Sequence, residues 1–353
     1  MKNIIKKITF SFLYGICLWK RRRLNNLLVL TYHRVSETPD FEDSLKVSLK
    51  NFENQMRFIK KNYHIISGEE LAEIIKNKQS FPSNSCLITF DDGWIDNYTN
   101  AFPVLKRHRI PAIIFISTDY VNTSRVFWHE QLIKIFEKTS PSLDINKLGC
   151  TLKTQPGLIS EKIRNILRVP ISGRRPLIED LISYLKGFDP KAINDLVGDL
   201  QLLVGREEDN GPTILSWDQI KEMSQNNVCF GSHAKSHDIL TIIPKSQIKE
   251  EILESKKIIE NKLGKPVHFI AYPNGNYDAF VTQITREAGY LAGFTCVPGT
   301  NASLENPYEL KRRHVLEELS LGMNNRFSEL AFKTELSGIR SDIKRWVKRG
   351  NLN

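Results

Sequence analysis

Ser85-Cys86-Leu87-Ile88-Thr89-Phe90-Asp91-Asp92-Gly93-Trp94-Ile95-Asp96-Asn97 is the stretch from which the rest of the chain can be read. Cys86 to Phe90 is a short apolar, β-prone run that stops abruptly at two carboxylates and a glycine, the pattern of a buried strand ending in a turn. Asp91 and Asp92 therefore fall at the carboxyl end of a strand, where the loops of parallel α/β folds converge on one crevice. Successive residues of an extended chain point to different sides, so two neighbouring aspartates can do two jobs, one binding a metal and the other free as a base. Taken alone, Asp92-Gly93 also reads as a hairpin turn.

A second stretch decides between these readings. Gly231-Ser232-His233-Ala234-Lys235-Ser236-His237 follows the apolar run Val228-Cys229-Phe230. Two histidines four apart just past a strand can converge on one divalent ion if the loop coils into a helical turn. Asp92, His233 and His237 would then be a typical ligand set for a catalytic zinc, with a position left open for water.

These residues carry a family resemblance. Thr89-Phe90-Asp91-Asp92-Gly93 resembles the first motif of the polysaccharide deacetylases, the NodB-homology group of carbohydrate esterases, and His233 to His237 resembles their second. Leu28 to Val35, with His33 within it, is similar to the opening strand of the branch associated with exopolysaccharide and lipopolysaccharide genes, and Ala271-Tyr272-Pro273-Asn274-Gly275 resembles the third motif. The resemblance runs from about residue 27 to about 318, interrupted by an insertion. It implies an α/β fold, a distorted (β/α) barrel, and metal-dependent removal of N-acetyl or O-acetyl groups from a cell-surface polysaccharide or glycolipid precursor.

Such chemistry needs a metal to polarise the carbonyl and the attacking water, a base, an oxyanion donor and an acid for the leaving amine. The resemblance makes Asp91 the base, gives the metal, zinc by preference, to Asp92, His233 and His237, and puts the oxyanion donor on the backbone amide of Asn274. Two histidines are candidates for the acid: His33, which ends the first strand and is preferred, and His314, where the chain should return for a final strand. The arginine that orients the base in the family's third motif falls on Ala271, and its fourth-motif aspartate has no counterpart. Arg312 or Arg34 is available to replace that arginine. If neither does, the alternative is a catalytically inactive barrel that binds metal and glycan. Trp128-His129-Glu130 reads as a helix start with an aromatic anchor rather than as a further ligand.

Composition bounds the rest. A chain of 353 residues, 41% hydrophobic and 25% charged, can bury a barrel-sized core. Its five cysteines are odd in number and widely spaced, which favours packing over disulfides or zinc knuckles. The net charge is +10, yet residues 1–23 carry seven basic groups and no acid, and residues 339–353 carry five basic groups and one acid, so the body between is near −1. Nucleic-acid binding is not expected, because no basic and aromatic interleaving occurs within that body.

Ile8 to Trp19, flanked by the N-terminal charges, is about twelve residues, too short for the roughly 20 a spanning helix needs. No small-x-small cleavage site follows. A basic interfacial helix on the inner face of an anionic membrane is the preferred reading, which places the protein in the cytoplasm, peripheral to that membrane. An exported or signal-anchored protein, or a helix packed on the barrel, are the alternatives.

Between residues 27 and 118 the pattern alternates strand and helix, predicting a parallel sheet or barrel. Residues 119–212 break that rhythm with helical patches and prolines and read as an insertion placed to shape a substrate groove. Alternation resumes at Ser216, an expected N-cap. The expected division is thus 1–24 for the interfacial segment, 25–335 for the barrel with insertion 119–212, and 336–353 for a basic C-terminal helix or tail, a helix around Phe327 to Val347 closing or capping the barrel.

Overall fold

The computed structural model of the chain describes residues 25–38, 45–140, 143, 156–205, 213–322 and 325–338. The expected interfacial segment, Cys17, Cys150 and the basic tail beyond residue 338 lie outside the described residues. The described residues hold ten strands: β1 Leu27–Tyr32, β2 Arg34–Ser36, β3 Lys46–Ser48, β4 His64–Ile65, β5 Ser85–Phe90, β6 Ala112–Ile116, β7 Val228–Ser232, β8 Phe269–Ala271, β9 Ala292–Pro298 and β10 Leu310–His314. The main sheet runs β1-β10-β9-β8-β7-β6-β5-β4, and β1 also pairs with β5. Seven parallel strands thereby close into a barrel, the α/β fold that the family resemblance implies. The short β4 hangs on the start of β5, pairing His64 with Ser85 and Ile65 with Cys86. The Asp-Gly hairpin is excluded, because both partners of β5 within the barrel, β1 and β6, run parallel to it.

The strands read as continuous apolar runs because both faces are buried. Their alternate residues separate into two clusters. Leu27, Val29, Leu87, Ile113, Phe115, Phe269, Phe294 and Leu310 fill the barrel interior. Leu28, Leu30, Ile88, Phe90, Ile114, Ile116, Phe230 and Ile270 face outward onto the surrounding helices. Leu71, Ala72 and Ile74 of the helix Gly68–Lys76 belong to the interior cluster, and Gly68 lies against Ile113 and Cys229 near the amino ends of β6 and β7. That helix plugs the barrel floor, leaving the carboxyl ends of the strands as its mouth.

The residues also dictate the local ends of these elements. Ser48, Ser67, Ser216 and Asp278 each accept a backbone N–H at a helix start, and Ser216 forms a full capping box with Gln219. Gly231 is required where it stands: a Cβ there would meet the Phe115 ring at 2.6 Å and the carbonyl of Phe269 at 2.9 Å. The described part of the C-terminal helix, Glu329–Ser337, packs on the outer face of the barrel, its Phe332 edge-on against Phe58 of the helix Leu49–Asn62, centroids 5.5 Å apart.

Within residues 119–212 four helices, Trp128–Lys138, Pro156–Arg168, Arg175–Leu185 and Pro190–Val204, share an apolar cluster of their own that includes Leu132, Phe136, Ile163, Leu181 and Leu196. Arg174, fully buried, ties the bundle together by donating to the carbonyls of Phe136 (2.7 Å), Thr139 (2.6 Å) and Val169 (3.0 Å). No helix among the described residues is long and apolar enough to cross a membrane.

Candidate active site

The inward rows of the barrel, followed upward, become the site. Beyond Leu87 and Thr89 on β5 the next inward residue is Asp91; beyond Leu27, Val29 and Thr31 on β1 it is His33; beyond Leu310 on β10 come Arg312 and His314. Thr31 and Thr89, buried side by side, contact through their hydroxyls at 3.2 Å and form the polar floor of the mouth. Arg312 is wholly buried and grips Asp91 in a fork, Nη1 to Oδ1 and Nη2 to Oδ2, both 2.7 Å. Its Nε donates to the carbonyl of Thr295 at 2.8 Å. Burial pushes the Asp91 carboxyl up, but the charge and hydrogen bonds of Arg312 outweigh it and bring Asp91 down to about 2. Of the two arginines proposed to replace the one missing at Ala271, Arg312 is thus the one on Asp91. Arg34 instead pairs with Asp96 at 2.9 Å and lies 4.6 Å over the Trp94 ring.

Asp92 turns the other way. Its backbone is left-handed, φ 71°, as is that of Gly93, φ 73°, and this turn swings adjacent carboxylates apart. Asp92 Oδ2 accepts from Trp94 Nε1 at 2.9 Å, while Oδ1 lies 3.4 Å from His233 Nε2 and 3.2 Å from His237 Nε2. Burial raises the Asp92 carboxyl, yet its bonds to the two imidazoles hold it well below the usual carboxylate range. His233 Nδ1 lies 2.7 Å from the carbonyl of Ala271, which fixes that nitrogen as the donor and leaves Nε2 free to bind a metal.

The ligand atoms of Asp92, His233 and His237 all lie within 4.8 Å of one another. Tetrahedral ligands about 2.1 Å from a divalent ion stand roughly 3.4 Å apart, so the three donors fit a metal. The route to this convergence differs from the expected helical turn. After β7 the chain runs as an irregular loop with left-handed residues at Ala234, φ 61°, and His237, φ 66°. Glu251, on the helix Lys245–Leu263, holds that loop by accepting the N–H groups of Lys235 and Ser236, both at 2.8 Å.

The stacked rings of His33 and His314, centroids 5.5 Å apart, complete the barrel side of the mouth. Burial lowers the pKa of His33, and burial together with His33 and Arg312 lowers His314 to about 3. Asn274 lies across from them in the turn Pro273–Gly275, with φ 57°. A cavity of about 410 Å³ opens over all these groups, and much of its wall comes from the inserted helices through Trp128, His129, Ile133, Ile182, Lys186 and Ile193. All seven site residues named from the sequence line this one cavity: His33, Asp91, Asp92, His233, His237, Asn274 and His314. His129, its ring 5.9 Å from that of His237, joins them at the wall. No local signal marks Glu251, a charged residue in a charged helix, or Lys186, whose place depends on how the insertion folds back.

The polysaccharide deacetylase family model matches residues 78–150 and 173–293. The chain belongs to the polysaccharide deacetylase family. It is accordingly a hydrolase of carbon–nitrogen bonds other than peptide bonds. YxkH of Bacillus subtilis (strain 168), named as a polysaccharide deacetylase, is 24% identical over 303 residues, covering 85% of this chain and 75% of that one. The poly-β-1,6-N-acetyl-D-glucosamine N-deacetylase of Staphylococcus epidermidis is 34% identical over 114 residues, 28% of this chain and 39% of that relative. Among solved structures, the deacetylase PplD of Streptococcus pyogenes superposes with a TM-score of 0.56 at 19% identity, over 88% of this chain and 98% of that one. IcaB from Ammonifex degensii does so with a TM-score of 0.54 at 19% identity, over 83% and 93%. The two structural likenesses speak to the shared fold.

Proposed function

We propose that this deacetylase is metal-dependent and removes N-acetyl groups from an N-acetylhexosamine-containing glycan, as a polymer or as its lipid-linked precursor. The observation that carries the reading is the pairing, in one cavity, of an Asp-His-His cluster with a carboxylate held by arginine. A divalent ion held by Asp92, His233 and His237, zinc by the chemistry of the donors, supplies Lewis acidity to the acetyl carbonyl and the attacking water. The protein does the rest.

Asp91 stays ionised at any working pH because of Arg312, and a carboxylate held by two hydrogen bonds keeps lone pairs free to receive the water's proton. The backbone N–H of Asn274, in its left-handed turn, is the assigned donor to the carbonyl oxygen. The proton that Asp91 takes from the water passes by way of the His33–His314 pair, whose rings burial keeps neutral at rest, to the leaving amine. The preference for N-acetyl groups draws on the names of the staphylococcal relatives. We further propose that residues 1–24 dock on an anionic membrane surface, with the barrel as body and the inserted bundle as one wall of the site.

Acetate release from a panel of N- and O-acetylated glycans, before and after chelation and with zinc or cobalt restored, tests the reading. Release that is abolished by chelation and restored by metal supports it. Tight glycan binding with no release from any substrate would instead make the chain a metal- and glycan-binding barrel.

A further inference from the structure

Among the described residues, Lys186 is the one from the inserted bundle with a recorded side-chain hydrogen bond to the turn carrying Asn274. It stands at the carboxyl end of the helix Arg175–Leu185, its own N–H given to the carbonyl of Ile182 at 3.1 Å. From there its Nζ crosses to Asn274 Oδ1 at 2.7 Å. The other end of the same amide is also taken, because Asn274 Nδ2 donates to Asn276 Oδ1 at 2.7 Å. Below it, Gly275 N–H is bonded to Tyr272 O at 2.7 Å. Asn274 holds φ 57° without being glycine, a backbone state that persists only where the surroundings fix it. Lys186 also lines the cavity together with Asp92 and Cys296. An ammonium has three donors, and the bond to Asn274 uses one.

We propose that Lys186 is a positioning residue for deacetylation: from the inserted bundle it fixes the Asn274 turn, so that the backbone N–H of Asn274 is aimed at the acetyl oxygen, and it thereby makes the bundle a working part of the active site. The proposal rests on the assignment of Asn274 as oxyanion donor given above. Partial burial of Lys186 lowers its pKa, opposed by Cys296 and Asp92, because its amine end lies inside the mouth rather than out in solvent. A residue that only gripped the glycan would act on the affinity for the glycan. One that orders the oxyanion turn acts on the rate with any acetyl substrate, even one without sugar.

The test compares wild type, Lys186→Met and Lys186→Arg as full-length, zinc-loaded proteins. Two substrates are used: a β-1,6-linked N-acetylglucosamine tetramer and 4-nitrophenyl acetate. Misplacing a catalytic donor by a fraction of an ångström to 1 Å costs roughly 10- to 100-fold. Lys186→Met is therefore expected to lose about that in kcat on both substrates with KM within about twofold, and Lys186→Arg to recover most of it. A rise in KM on the tetramer with the ester unaffected overturns the proposal in favour of glycan gripping. A fall in thermal stability with both kcat values unchanged overturns it in favour of a mere brace. Hydrogen exchange at Gly275 and Asn276 gives a readout free of turnover: it should speed up in Lys186→Met, and unchanged exchange overturns the proposal. If wild type releases acetate from neither substrate, the assigned function fails, and the exchange result still decides whether Lys186 orders the turn.

Discussion

Arg312 and Asp91 are 221 residues apart in the chain and meet in a buried two-bond fork, 2.7 Å on each arm. The contact joins β10 to β5 across β1, which lies between them in the barrel. It therefore exists only once the barrel has closed. Two opposed charges are buried together, and each depends on the other.

Arg312→Met leaves Asp91 buried without its partner, which typically costs about 3–5 kcal/mol. The sign of the pH effect is fixed by the direction of the shift. Asp91 is depressed to about 2 when folded, below its ordinary 3.8, so its stabilising contribution is full above about 4 and fades as pH falls through about 2. In the variant the lowering by Arg312 is gone, and burial raises Asp91 against only the weaker pull of His233 and His33. Its acid limb in the pH–rate profile should move up, and its acid denaturation should start at higher pH. An acid limb identical to that of wild type would separate Asp91 from the rate.

Much of this site could be read in the sequence because parallel strands carry their function at their ends. Asp91, Asp92, His233 and His237 stand immediately past apolar runs, and the family motifs supplied Asn274. The two-residue period would also have selected Arg312: once Leu310 faces inward, so does Arg312, and Arg34, after β1, falls outside that row. Other features depended on geometry that no local pattern encodes. His233 and His237 converge through left-handed residues at Ala234 and His237 rather than a helical turn, and neither is a glycine that would signal such a backbone. The small parallel pair β2–β3 is three residues long on each side, too short to show a period. Lys186 and Glu251 act across folded distances and look in sequence like ordinary surface charges.

Glu251 should matter to the metal site without touching it. Its carboxylate accepts the N–H groups of Lys235 and Ser236 between the two histidines. Partners that orient metal ligands are worth roughly 10- to 100-fold in metal affinity. Glu251→Ala is expected to weaken zinc binding by about that much, and Glu251→Gln, which keeps an accepting oxygen, by less. Competition against a chromophoric chelator measures it; equal affinity in all three proteins would remove Glu251 from the account.

His314 makes stability depend on pH in the opposite sense to a salt-bridged histidine. Burial, His33 and Arg312 bring it to about 3 in the folded protein, against an ordinary 6.5. Below about 6.5 the unfolded chain takes up a proton that the folded one refuses, so stability is full above that value and falls as the pH drops toward 3. His314→Gln should lose less stability than wild type between pH 7 and pH 5. Urea denaturation midpoints at the two values give the comparison, and parallel losses would contradict it.

Residues 1–23 hold seven basic groups around a short apolar run containing Phe10, Phe12, Leu13 and Trp19. Full-length protein is expected to float with vesicles containing anionic lipid, and protein starting at Asn25 to stay behind, soluble and metal-bound. High salt should release the full-length form only partly, since screening leaves the apolar side chains in the interface. Equal flotation of both forms would end this reading, as would an N-terminus found cleaved near residue 20 in exported protein.

The central claim, that one Asp-His-His metal site and one adjacent carboxylate perform deacetylation, is tested most directly by measuring bound zinc and acetate release together in wild type, Asp91→Asn and His237→Ala. The account predicts that Asp91→Asn keeps stoichiometric zinc while losing at least about 10²- to 10⁴-fold in rate, and that His237→Ala loses both zinc and activity. A His237→Ala protein that retains stoichiometric zinc and full acetate release, or an Asp91→Asn protein that turns over like wild type, would contradict it.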